Sequence, residues 1–126
     1  MKLVLSFLLF LFCFKGFAQN IREYQWKNRL IVLVSNTSNS SELNQQRQFF
    51  KQKQSHLEER DMLLLNRQSK SPDLAGFSLA TNFEGVLLIG KDGGIKLKKP
   101  FIVKPQTIFD LVDSMPMRRA EMRSKY

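Results

Sequence analysis

The chain alternates between short apolar runs and polar stretches, and the spacing inside each run separates strand from helix. Arg29 to Val34 is an unbroken series of leucine and β-branched residues behind one arginine. Such a run predicts a strand buried on both faces. Met62 to Leu65 and Gly85 to Ile89 read the same way. Ile95 to Lys98 instead alternates apolar and basic residues, the pattern of an edge strand whose lysines stay in water. Lys91-Asp92-Gly93-Gly94 joins the last two strands as a hairpin turn, because Asp and Gly accept positive φ.

Between the first two strands, Leu43, Phe50 and Leu57 recur every seven residues among Gln, Lys, Arg and Glu. That stripe predicts a mostly solvated helix running through Glu59 on the outside of a sheet. Asn39 or Ser40 caps its start, and Glu42, three residues after Asn39, suits a capping box. Asn66 to Glu84, with scattered Ser, Pro, Gly and Asn, reads as a long connection with at most one helical turn. Leu74, Phe77, Leu79 and Phe83 are its anchors. Pro105 opens a last helix with Ile108, Phe109, Leu111, Val112 and Met115 on its apolar face. Pro116 ends or kinks that helix, leaving Met117 to Tyr126 as a basic tail. A strand–helix–strand unit makes a right-handed parallel pair, and a hairpin adds antiparallel strands. The predicted fold class is therefore α/β: a four-stranded mixed sheet with flanking helices, the layout of the thioredoxin-like fold.

The N-terminal region changes the picture of where this domain works. Lys2, the apolar run Leu3 to Phe14, and then Gly16-Phe17-Ala18 form the charge–apolar–small order of a cleavable signal peptide over residues 1–18. The run is too short to span a bilayer, which needs roughly 20 apolar residues. Bulky Phe12 before Cys13 argues against a lipid anchor there. No second long apolar run follows, so no transmembrane anchor is expected after cleavage. Residues 19–126 then form a single domain, periplasmic or secreted. Cys13, the only cysteine, leaves with the signal, and with it any disulfide, thiolate nucleophile or cysteine metal ligand.

Charge adds a candidate surface. The whole chain carries +9; removing Lys2 and Lys15 leaves eighteen basic against eleven acidic residues, or +7. Residues 91–126 hold nine of the basic and four of the acidic ones. Lys96, Lys98, Lys99, Lys104, Arg118, Arg119 and Arg123 are the candidate anion-binding set. Lys96 and Lys98, two apart, are expected on one side of the edge strand. The partner they suit is an anionic polymer or an acidic protein surface, and export argues against nucleic acid. The plainer reading is a solvated face that keeps the protein soluble and its edge unpaired.

Other candidates carry less. His56, the only histidine, sits among Gln, Ser and Glu on the solvated helix, with no partner to orient it as a base. Glu58, Glu59 and Asp61 point in different directions at a helix end, so no metal site is expected. Ser35 to Ser41 reads as a capping loop ahead of an anion-binding one. Tyr24 and Trp26 are expected to close the end of the core rather than to stand out as a recognition pair. No catalytic residue and no cofactor is expected.

Three segments carry a family resemblance. Tyr24-Gln25-Trp26-Lys27-Asn28-Arg29-Leu30, Leu87-Leu88-Ile89-Gly90-Lys91-Asp92-Gly93-Gly94 and Asp113-Ser114-Met115-Pro116-Met117-Arg118-Arg119 together resemble the domain of unknown function 4174 of exported bacterial proteins. Related domains recur in vertebrate extracellular-matrix proteins. The resemblance implies a thioredoxin-like or peroxiredoxin-like fold and brings no catalytic residues. A working redox site would need thiolates in the loop after the first strand, where this chain has Ser35-Asn36-Thr37-Ser38-Asn39-Ser40-Ser41. It would also have a proline just before the third strand, where Asn82-Phe83-Glu84 stands. Three function classes follow as expectations: a non-catalytic binding or matrix-type module first, then a redox-accessory or peroxiredoxin-like enzyme of unrecognised chemistry, or a structural or stress-related envelope protein.

Overall fold

An apolar run with no polar position needs neighbours at both edges and a layer on each face. β1 (Arg29–Val34) has both and is buried at every residue. The computed structural model that places it describes residues 20–37 and 40–125; residues 1–19, where a signal peptide is expected, and Ser38, Asn39 and Tyr126 lie outside the described residues. β2 (Met62–Arg67) runs parallel to β1, with Arg29 opposite Met62 and Val34 opposite Arg67. β3 (Gly85–Ile89) lies antiparallel on the other side of β1, and β4 (Ile95–Pro100) is antiparallel to β3. The sheet order is β2-β1-β3-β4, so β2 and β4 are its edges. Every predicted strand is present. β2 and β4 each run two residues further than the apolar pattern indicated, β4 ending on Pro100, which an edge tolerates.

The hairpin turns as its glycines require. Gly93 adopts φ 87°, its N–H donates to the Gly90 carbonyl at 3.0 Å, and the Gly90 N–H donates to Gly94 at 2.9 Å. One irregularity follows: Leu88 opposes Leu97 but Ile89 opposes Ile95, leaving Lys96 as the extra residue of a bulge. At the other end of the hairpin β3 and β4 come close. A side-chain carbon on Gly85 would stand 2.2 Å from the Lys99 carbonyl oxygen.

α1 (Ser41–Lys51) starts with the Ser40 hydroxyl accepting the Leu43 N–H at 3.0 Å. With Ser40 as the cap, the residue three positions on is Leu43, so Glu42 does not complete a capping box around it. The single long helix expected through Glu59 is instead two. Gln52 and Lys53 are exposed and turn the chain before it resumes as α2 (Gln54–Glu59). The stripe survives the break: Leu43, Phe50 and Leu57 are all buried. α3 (Pro105–Asp113) follows the proline as predicted. The basic tail does not exist as a tail. Pro116 opens a further helix, α4 (Pro116–Lys125), at the first position, where a missing N–H costs nothing.

The sheet thus has two unlike faces. Ile31, Leu33, Val86 and Leu88 pack with Phe50, Leu57 and with Ile108, Phe109 and Val112 of α3. Leu30, Val32, Leu87 and Ile89 are covered by two 3-10 helices, Ile21–Tyr24 and Pro72–Phe77, the second of six residues and so longer than the one turn expected there, with Leu74, Phe77, Leu79 and Phe83 as the anchors the pattern named. Buried Gln46 of α1 fixes the route into α3. Its amide donates to the Val103 carbonyl at 2.8 Å and accepts the Val103 N–H at 2.6 Å. The α/β class with a four-stranded mixed sheet is as predicted.

The tight approach at Gly85 generates the first prediction. Gly85→Ala should lower the stability of the protein by about 1–3 kcal/mol, the usual cost of overpacking. Urea unfolding monitored by circular dichroism measures it; an unchanged midpoint would contradict the close packing of β3 on β4.

Candidate functional site

The C-terminal cations were the candidate surface, and the fold sorts them into two kinds. Arg118 is a correction. It is only 2% exposed, because it lies on the inward face of α4 rather than on a free tail. Its guanidinium donates to Asp113 at 3.2 Å, to the Glu59 carbonyl at 3.1 Å and to the Glu59 carboxylate at 3.4 Å. It therefore belongs to the core of the domain and not to any outward-facing surface.

Arg118 is one member of a network at the end of the sheet where β1 begins. Buried Arg29 donates to the Arg60 carbonyl at 2.9 Å and reaches both carboxylate oxygens of Glu121 at 3.1 and 3.3 Å. Lys91, in the hairpin turn, bonds the same Glu121 and, at 3.0 Å, Asp61. Arg60 holds Asp113 bidentately at 3.0 and 2.9 Å and lies 4.6 Å above the Phe109 ring. Four cations, Arg29, Arg60, Lys91 and Arg118, thus face four carboxylates, Glu59, Asp61, Asp113 and Glu121. Charge is balanced internally, as burial of ions demands. Burial by itself would raise the Asp113 carboxyl, but hydrogen bonds from Arg60 and Arg118 outweigh it and hold the group below its ordinary value of 3.8. Glu121 is likewise pushed up by burial and brought below its ordinary 4.5 by Lys91 and Arg29.

Sequence reading missed this network. It treated Arg29 as the polar head of an apolar run and gave Asp113 and Glu121 no role. The signal was present: an arginine opening a strand buried on both faces must meet a carboxylate, and Arg118 and Glu121, three apart, share a helix face.

The remaining cations face outward. Lys99, Lys104, Arg119 and Arg123 are exposed and, among the described residues, make no side-chain hydrogen bond or ion pair. Lys98 lies 5.7 Å above the Phe83 ring, on the face covered by the 3-10 turns. Lys96 does not share that side, and the expectation that it would is corrected by the bulge. Its ammonium turns back to Asp92 at 2.8 Å, and it lines a hollow of ≈ 290 Å³ with Met115, Pro116 and Met117 on the helical face. Lys98, Lys99 and Lys104 therefore follow the outer edge from β4 into the start of α3. Arg119 and Arg123, four apart, share the outward face of α4.

Other expectations divide. Tyr24 packs into the core, but Trp26 is 64% exposed, correcting the expectation that both close it. Trp26 takes φ 68°, and its N–H donates to the Lys91 carbonyl at 2.6 Å, which turns the indole to water. His56 is exposed and stacks on Phe109 with ring centroids 5.6 Å apart. Among the described residues no group of three His, Cys, Asp or Glu side chains is placed to hold a metal ion, and no helix is long and apolar enough to cross a membrane. In the loop after β1, the Glu84 carboxylate accepts the Asn36 N–H at 3.0 Å, and the Asn36 side-chain oxygen accepts from Ser69 N–H at 3.0 Å and Oγ at 2.9 Å. Those polar groups fasten the ends of β1 and β2 to the segment before β3.

The network generates a pH prediction. Asp113 and Glu121 have folded pKa values below their unfolded ones, so their stabilisation is complete above about pH 4.5 and is lost as pH falls through the folded values. Arg118→Met should cost roughly 3 kcal/mol at neutral pH, the scale of breaking a buried pair. In thermal or urea unfolding from pH 7 to pH 2, the gap between variant and wild type should narrow at the acid end. A gap that stays constant would mean that Arg118 contributes packing alone.

No curated protein and no solved structure matches the chain. One family model does, over residues 20–121, a span that takes in every strand and closes on Glu121, the carboxylate that ties α4 to Arg29 and Lys91. The chain belongs to that family, described as Domain of unknown function (DUF4174).

Proposed function

We propose that the chain is an exported, non-catalytic binding module of thioredoxin-like fold whose partner is an anionic polymer. The observation that carries this reading is the sorting of cations. Those at the start of β1 and on the inner face of α4 are matched by carboxylates, whereas Lys99, Lys104, Arg119 and Arg123 are exposed with no partner among the described residues. With Lys98 they leave positive charge along one edge and one helix face, where a polyanion gains attraction without breaking an internal pair.

Three further features support it. The parallel β1–β2 pair joined through α1 and α2, with the β3–β4 hairpin on the far side of β1, accords with a thioredoxin-like layout. No cysteine follows Cys13, and the loop after β1 carries hydroxyls and amides where redox thiols would stand. Hydroxyls do not replace thiolates in disulfide exchange. The apolar run ahead of Gly16-Phe17-Ala18 supports export.

Two measurements test the reading. The protein should bind a column of sulfated polysaccharide and elute with salt, since exposed charges are screened over roughly 10 Å at 0.1 M. A variant with Lys98, Lys99, Arg119 and Arg123 changed to Ser should elute earlier with unchanged folding. Equal elution of the two proteins would remove the polyanion, and retention on acidic protein alone would replace it with an acidic protein surface. Mass spectrometry of the protein from its native host should find Gln19 as the N-terminal residue; an intact Met1 on most molecules would overturn export by this route.

A further inference from the structure

A guanidinium drawn out of water calls for a counter-charge. Among the described residues five arginines are not exposed: Arg29, Arg47, Arg60, Arg67 and Arg118. Four of them grip a carboxylate: Arg29 that of Glu121, Arg60 and Arg118 that of Asp113, and Arg67 that of Asp73 at 2.9 Å. Arg47 meets only neutral amides. Its two terminal nitrogens donate to the side-chain oxygens of Asn44 at 3.0 Å and Asn66 at 3.2 Å. Such oxygens fix a guanidinium in place and leave its charge standing.

Arg47 lines a hollow of ≈ 240 Å³ beyond the carboxyl ends of the parallel strands β1 and β2. Open α/β sheets bind their ligands outside that end of the strands. Leu33 and Leu43 of the helical-face core give the hollow apolar walls, and Asn66, Arg67 and Gln68 come from the end of β2. None of its lining residues is acidic, and Arg67 is already answered by Asp73. Glu84, beside Ser35, is engaged by the Asn36 N–H at 3.0 Å and the Ser35 hydroxyl at 3.3 Å. The charge of Arg47 is therefore uncancelled. A guanidinium has five N–H donors, and the two amide bonds use two of them. Asn66 accepts from Arg47 on its oxygen, so its NH2 group is still a donor, and the Gln68 amide is exposed at the rim.

We propose that this hollow is a site for the oxyanion group of a small molecule, a carboxylate or a phosphate, with Arg47 as its anchor and the Asn66 and Gln68 amides as flanking donors. The guanidinium fork matches two oxygens of either group. Asn44 on α1 and Asn66 on β2 hold that fork before any ligand arrives, so binding costs little side-chain freedom. An aspartate at position 66 would neutralise Arg47 as Asp113 neutralises Arg60; asparagine keeps the tie and spares the charge. The start of α1 is not the donor here, since the Leu43 N–H is taken by Ser40. The site is also independent of the polymer surface, because β2 and β4 are opposite edges of the sheet.

The test is a titration of the folded protein with inorganic phosphate and with acetate at constant ionic strength, followed by the backbone amide signals in NMR. The amides of Leu43, Arg47, Asn66 and Gln68 should shift saturably with at least one of the two and not with chloride, and the oxyanion that saturates at the lower concentration names the group. Arg47→Gln should raise the dissociation constant at least tenfold, the scale of losing a hydrogen bond to a charged group. Asn66→Asp separates binding from packing, and decides should Arg47→Gln fail to fold. Its new carboxylate keeps the tie between α1 and β2, so the unfolding midpoint should hold or rise while binding of both oxyanions is lost. Shifts that never saturate, shifts confined to Lys98 to Lys104 and α4, or an Asn66→Asp protein that binds as tightly as wild type would overturn the proposal.

Discussion

The C-terminal third of this domain is held by one constraint: Arg29 is buried at the mouth of β1 and must be neutralised there. A guanidinium 1% exposed is tolerated only if its hydrogen bonds and charge are met. Glu121 meets it, and Glu121 is on α4, so α4 must lie across that end of the sheet. Lys91 then shares Glu121 and draws the hairpin turn to the same place. Asp113, at the end of α3, is gripped by Arg60 and by Arg118, which fixes the angle between α3 and α4 around Pro116. Well-packed apolar residues often match or exceed buried ion pairs in stability, since desolvation opposes every pair. What the ions supply is position, because an apolar contact would not distinguish one approach of α4 from another.

That arrangement decides what the outside of the protein presents. Balanced charges inside leave the excess of positive charge on the β4 edge, the entry to α3 and the outer face of α4. The bulge at Lys96 divides the edge lysines between the two faces of the sheet. The β4 edge is thus charged and closed to further strands.

Much of the fold was legible because it rests on local patterns. The run Arg29–Val34 reads as a buried strand whatever surrounds it, and Asp92-Gly93-Gly94 reads as a turn from backbone geometry alone. The seven-residue recurrence of Leu43, Phe50 and Leu57 gave the buried stripe, but not the break at Gln52 and Lys53, since an exposed stretch of Lys and Gln is silent about whether it stays helical. Pro116 was read as a stop because proline ends one helix as readily as it begins another; only the pull of Glu121 on Arg29 decides between them. The surface was legible in composition but not in detail. Charge along the sequence shows that cations are plentiful, while their pairing depends on contacts between residues 59 positions apart, as for Arg118 and Glu59.

Ion pairs from Glu121 and Arg118, and not general packing, hold α4 against the sheet. Hydrogen exchange read by mass spectrometry on wild type and on Arg118→Met tests this most directly. The amides of α4 in the variant should exchange markedly faster while those of β1 and β3 keep their protection. Unchanged protection in α4, or loss spread evenly over the whole sheet, would contradict it.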